Sequence, residues 1–217
     1  MFIRTFGAVA AVASSFVLCG TAAAAPLTHD TEAEFTITAN QTAGVSAARS
    51  ILGNMFDSDT STMYSLGLGG DIALELVPAD RAIDNGAVVE LTGVGSNHAE
   101  SATLSLFDVV AGTWLDVATL FNGAAPGGWN VVDLGTGAAS FSVTSAGAPG
   151  TFAFTINSGL FNAVRLTDTS SSISGTGSTD GFDIAEFSVT SMPVSEPGLL
   201  GLLGLGLAGV GAVARRR

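Results

Sequence analysis

The middle of this 217-residue chain is a series of short apolar runs, each followed within four residues by glycine, proline, asparagine or serine, and that rhythm limits the fold more than any other feature. The runs cover 35–38, 72–77, 87–91, 102–109, 114–120, 129–134, 141–144, 152–156, 163–166 and 182–189. They are too short for globular helices and rich in β-branched and aromatic side chains, so they read as strands joined by turns. Thr103-Leu104-Ser105-Leu106-Phe107-Asp108-Val109 and Thr151-Phe152-Ala153-Phe154-Thr155-Ile156 alternate apolar with polar or small residues, the period of a strand with one buried face. The spacing predicts one all-β sandwich over 25–193. Val45, Ala48, Arg49 and Leu52 fall at helical spacing before Gly53, so a helix of one or two turns is expected over 45–52. Segments 123–128 and 170–179 are loops by composition, and Gly67-Leu68-Gly69-Gly70 is a tight turn entering a strand.

The two ends differ from this middle. Arg4, the apolar run 6–18 and Thr21-Ala22-Ala23-Ala24-Ala25-Pro26 have the order of a secretory signal peptide. Cleavage is expected after Ala24, with Ala22 and Ala24 as the small residues that signal peptidase reads and 1–24 as the leader delivered to the secretion machinery. At the other end, an uncharged stretch 198–214 precedes Arg215, Arg216 and Arg217. As a helix that stretch would be about 26 Å long, enough for a thin bilayer, and the arginines predict a cytoplasmic end. Its glycines, Gly198, Gly201 and Gly204 among them, give a smooth face for another helix.

Cys19, the one cysteine, falls inside the leader. The mature chain would therefore have no disulfide and no thiolate zinc site. All acids but Glu196 lie between the processed ends, against Arg49, Arg81 and Arg165 and no lysine, a net charge of about −15. Such a surface repels nucleic acid and anionic head groups and favours divalent cations as charged partners.

Val194-Ser195-Glu196-Pro197, the span 198–214 and the closing arginines together resemble the PEP-CTERM sorting signal of Gram-negative bacteria. Glu196 and Pro197 match the second and third positions of its Pro-Glu-Pro motif, and Ser195 stands where the first proline belongs. The resemblance implies a sorting signal over 194–217, held in the membrane until an exosortase removes it. The middle resembles bacterial surface domains of the galactose-binding-like jelly-roll type, through Ile51-Leu52-Gly53, the stretch from Tyr64 to Leu76, Arg165-Leu166-Thr167-Asp168 and Asp180-Gly181-Phe182-Asp183-Ile184. Ala185 replaces the second acid of that family's closing segment. The expected molecule is thus a jelly-roll-like sandwich flanked by a signal helix and a transmembrane helix, exported to the cell envelope or extracellular matrix.

The catalytic inventory is thin: His29 and His98 are the only histidines, and no His-Glu-x-x-His, Gly-x-Ser-x-Gly or phosphate-loop motif occurs. No enzymatic activity is expected. His98 in its Ser/Asn/Glu loop reads as a solvated histidine. Hard cations need several oxygens at once, which points to Asp57 with Asp59 and to Asp180 with Asp183 as candidate calcium ligands. The expectation is a structural or cation-assisted glycan-binding role, with exopolysaccharide as the partner. The alternatives are a carbohydrate-active enzyme using Asp183 and Glu186, or a permanently tail-anchored periplasmic protein.

Overall fold

The computed structural model describes residues 25–78, 80–91, 98–145, 149–173 and 177–194. Arg4, Ala22, Ala24, Ser195, Glu196, Pro197, Arg215, Arg216, Arg217 and the span 198–214 lie outside the described residues. Among the described residues no helix is long and apolar enough to cross a membrane.

Twelve strands follow in chain order: β1 (Leu27–His29), β2 (Phe35–Asn40), β3 (Tyr64–Ser65), β4 (Asp71–Leu76), β5 (Arg81–Glu90), β6 (Ser101–Asp108), β7 (Thr113–Phe121), β8 (Asn130–Asp133), β9 (Ala139–Thr144), β10 (Gly150–Ile156), β11 (Phe161–Asp168) and β12 (Asp183–Pro193). They form two six-stranded antiparallel sheets. One runs β1-β12-β5-β10-β9 with β3 also paired to β12, and the other runs β2-β4-β11-β6-β7-β8. The expected all-β sandwich is what forms, and each predicted run falls on a strand.

The core lies between the sheets because alternate residues of each strand face inward. Ile72, Leu74 and Leu76 of β4 and Leu104 and Leu106 of β6 meet Phe152 of β10 and Phe187 of β12, all of them buried. Phe35 packs edge-on against Phe187 with ring centroids 5.5 Å apart, and Phe152 sits 6.1 Å from Phe182. Burial of each such side chain contributes about 1.5–3 kcal/mol, which carries the fold without a crosslink.

β5 is longer than its apolar run suggests, because it continues through Asn85 and Gly86. Gly86 is required there: a Cβ would lie 2.5 Å from Cζ of Phe154, so the Phe154 ring of β10 packs directly on bare backbone.

The helix expected over 45–52 does not form. Two 3-10 turns, Ala47–Arg49 and Leu52–Met55, take its place. This segment is tied down by side chains instead of a helical ladder. Asn54 Nδ2 donates to the Ala48 carbonyl at 3.0 Å and the Met63 carbonyl at 2.8 Å, while Met55 is buried in the core.

The two ends of the domain run side by side. β1 pairs antiparallel with the end of β12, Leu27 opposite Ser191, and Arg81 clamps the junction through bonds from Nε to Ser191 Oγ (2.6 Å) and from Nη2 to its carbonyl (2.8 Å). Val194, the first residue of the expected sorting motif, still belongs to the domain, donating its N–H to the Asp80 carbonyl at 2.8 Å.

Candidate functional site

Two places in the sandwich concentrate chemistry: the outer face of the β2-β4-β11-β6-β7-β8 sheet and a buried acidic cluster at one end. The face follows from register. Thr36, Glu75, Ala163, Phe107 and Trp114 are paired in one row across five strands. In the next row stand Thr38, Ala73, Arg165, Ser105 and Asp116. Ala73 and Ala163 leave the middle of both rows low, so longer side chains wall a groove of about 430 Å3, a normal size for a ligand site.

One wall carries Asp71 and Glu75, the other Phe107, Trp114 and Arg165. The Arg165 guanidinium lies over the Trp114 ring, 4.7 Å from its centroid, and approaches the Asp116 carboxylate at 3.7 Å. Phe107 meets Trp114 edge-on at 5.3 Å, which fixes the indole. Glu75 accepts a bond from Asn162 Nδ2 at 3.3 Å and Asp71 one from Asn40 Nδ2 at 3.1 Å. A half-buried aromatic, a fixed guanidinium and two carboxylates with spare acceptor capacity can hold a polar, hydroxyl-bearing ligand.

The acidic cluster gathers Glu90 at the end of β5, Glu100 just before β6, and Asp180 and Asp183 around the start of β12. Asn122, just after β7, ties the two glutamates together: its Nδ2 donates to Glu90 Oε1 at 3.2 Å and Glu100 Oε2 at 3.3 Å. Its Oδ1 accepts the N–H groups of Glu100 (3.1 Å) and Ala124 (3.2 Å). Ser178 Oγ donates to Glu100 Oε1 at 2.8 Å. Asp183 accepts a short hydrogen bond from Ser65, and Arg49 pairs with Asp180 while its Nη1 stays 3.8 Å from Asp183. Asp168 beside them is saturated, accepting from Gly69 N, Phe182 N and Ser170 Oγ.

One guanidinium does not balance so many carboxylates. Burial pushes the Asp183 carboxyl up to about 7, with the Asp180 and Asp168 charges adding to the rise against Ser65 and Arg49. Burial also raises Glu90 and Glu100, and the charge of Asp183 works in the same direction on both.

The sequence-predicted cation residues separate. Asp57 and Asp59 lie in an exposed turn where their oxygens already accept bonds from that turn: Asp59 N (2.9 Å) and Thr62 Oγ1 (2.7 Å) on Asp57, Ser61 N (3.0 Å) and Ser61 Oγ (2.6 Å) on Asp59. Asp180 and Asp183 do come together in the buried cluster, sharing Arg49. Asp183 and Glu186 do not share a cleft. Asp183 turns into the cluster, whereas Glu186 lines a depression with Ser58, Ala87 and Ser188 on the outer face of the other sheet.

His98 is half-buried, and its ring nitrogen lies within 4.8 Å of ligand oxygens of Glu100 and Asp180. Glu90 and Glu100 were missed altogether. The signal for Glu90 was its place two residues after Val88, on the same inward face of the strand.

No protein-family model matches the chain, and no curated protein matches it. Solved structures do. The chain is similar to the family 32 carbohydrate-binding module of AlyQ in complex with 4,5-unsaturated mannuronic acid, at 14% identity over 75% of this chain and 97% of that one, TM-score 0.43. It is also similar to the family 32 module of C. perfringens NanJ in complex with galactose, at 16% identity over 76% and 99%, TM-score 0.44. A third is a family 32 module from Clostridium perfringens in complex with GalNAc-β-1,3-galactose, at 16% identity over 72% and 95%, TM-score 0.43. Identities and TM-scores this low assign no family.

Proposed function

We propose that this protein is an exported, non-enzymatic glycan-binding sandwich of the cell envelope or extracellular matrix. Its binding surface is the sheet-face groove of Trp114, Phe107, Arg165, Asp71 and Glu75. The observation that carries the reading is the paired register that brings an indole, a guanidinium and two carboxylates to one open groove with an alanine floor. Sugars need this combination: an aromatic surface for C–H faces, and charged donors and acceptors for hydroxyls. The strongly acidic surface around it disfavours anionic polymers, so the ligand class is a neutral, hydroxyl-rich exopolysaccharide.

Export and sorting belong to the same proposal and are supported by the leader-like order of Arg4, Ala22 and Ala24 and by the sorting-signal resemblance of 194–217. Intact mass of the native protein from culture supernatant should show one cut after Ala24 and a second near Val194-Ser195-Glu196-Pro197. Recovery of the uncut tail in a protease-competent cell would favour permanent tail anchoring.

The groove is tested with the full chain in mild detergent, titrated with purified neutral exopolysaccharide. Trp114→Ala and Arg165→Ala should each weaken binding about tenfold or more, with melting curves close to the parent's. Unchanged affinity in both variants would remove the groove from the account.

A further inference from the structure

We propose that Glu90, Glu100, His98 and Asp180 form an interior divalent-cation site, separate from the exposed Asp57 and Asp59 turn and independent of the sheet-face groove. Two observations carry it. One ligand atom each from His98, Glu100 and Asp180 lie within 4.8 Å of one another, the only such group of three among the described residues. Beside them Glu90 is fully buried, at 0% exposure, and its Oε2 has no hydrogen-bond donor among the described residues.

The second observation separates this cluster from an ordinary patch of acids. A buried carboxylate oxygen without a donor is costly, and natural interiors avoid it unless something else supplies the positive charge. No described side chain beside Glu90 brings a positive charge to it. Asn122 spends its amide on Glu90 Oε1 and Glu100 Oε2, Ser178 is turned to Glu100, and Arg49 is committed to Asp180. The remaining neighbours, Glu100 and Asp183, are acids, and Glu100 can bond the Glu90 carboxyl only through a shared proton, which a divalent cation would replace.

The backbone makes the site rigid. Glu90 and Glu100 are fixed at a strand end and a strand start, and the Asn122 carboxamide sets their separation from the facing strand. Such a frame holds oxygen ligands with little reorganisation on binding. Three carboxylates with one imidazole suit a borderline divalent ion: oxygens alone favour Ca2+ or Mg2+, and adding an imidazole moves the preference toward Mn2+. Asp180 would exchange its pairing with Arg49 for the cation, leaving the guanidinium to Asp183, which it already approaches at 3.8 Å.

The test uses the full chain in mild detergent, stripped with chelator and dialysed, and melted at pH 7.5 with no metal, with Mn2+ or with Ca2+. Mn2+ should raise the melting midpoint by about 5 °C or more and act at lower concentration than Ca2+. Glu90→Gln and Glu100→Gln should each abolish most of that rise. Their metal-free midpoints should equal or exceed the parent's, since each replaces a buried acid with a neutral carboxamide of the same shape, so lost response is not lost folding. Asp57→Ala should keep the full response. The site is overturned if neither metal shifts the midpoint, if the shift survives both glutamine variants, or if Asp57→Ala removes it. Ca2+ acting at lower concentration than Mn2+ would overturn the role of His98.

Discussion

Gly181→Ala should cost more than about 4 kcal/mol, enough to leave little folded protein, whereas Gly69→Ala should cost only about 1–2 kcal/mol. Both glycines have positive φ, +73° and +75°, so the backbone penalty of an L side chain is the same for each. They differ in what the new methyl meets. At Gly69 there is nothing within 4 Å, while at Gly181 a Cβ would sit 2.5 Å from the Gly67 carbonyl oxygen and 3.0 Å from Asp168 Oδ1. Those atoms cannot yield cheaply.

Gly67 N donates to the Asp180 carbonyl at 2.7 Å and Leu66 N to that of Phe182 at 3.1 Å, so any shift opens the seam that keeps Phe182 wholly buried. Denaturant unfolding of both variants in parallel checks the pair. Equal destabilisation would show that the Gly67 contact does not matter.

The second large effect is on pH. In chelator, the protein should be most stable near pH 4–4.5 and lose several kcal/mol by pH 8, contrary to the usual acid lability of proteins. An acid whose folded value is raised binds its proton more tightly when folded, so its contribution is full below the unfolded value and disappears as pH climbs through the folded one. Asp183 moves from 3.8 to about 7, which places its loss between about pH 4 and 7. At 1.36 kcal/mol per unit that is roughly 4 kcal/mol. Glu90 and Glu100 shift the same way and extend the decline upward.

The acid side of the optimum is set by Glu34, held below its ordinary range by bonds from Thr31 and Asp30 that outweigh its burial. Its contribution is lost as pH falls. Melting curves from pH 4 to 8 test the decline, and Asp183→Asn should flatten its lower half. A midpoint rising steadily from pH 5 to 8 in the parent would contradict the buried, poorly compensated carboxylates.

The strands were legible in the sequence because their signal is local: alternation and turn residues fall within a few positions. Two strands escaped. Leu27–His29 and Tyr64–Ser65 are too short to show a period, and exist because β12 offers a free edge to pair with. The false helix at 45–52 came from spacing alone, whereas the segment serves as a strap held by Asn54 and Met55.

The groove was visible only in fragments. Trp114 and the Arg165-Leu166-Thr167-Asp168 run stood out, but their meeting depends on which strands are neighbours, a long-range fact. Glu90 and Glu100 were hidden for a related reason. Charge in a sequence suggests solvent, and nothing near Glu100 announces that Ser178 and Asn122 will enclose it.

Because β1 and the end of β12 are paired, with Leu27 opposite Ser191, the two termini of the domain leave it as neighbours. A short linker could therefore fuse them and let the chain be reopened at a surface turn such as Val110-Ala111-Gly112, giving a circular permutant with every strand in place. It also means that a load applied between the termini would unzip β1 from β12 one hydrogen bond at a time, leaving the opposite sheet and its groove outside the line of force.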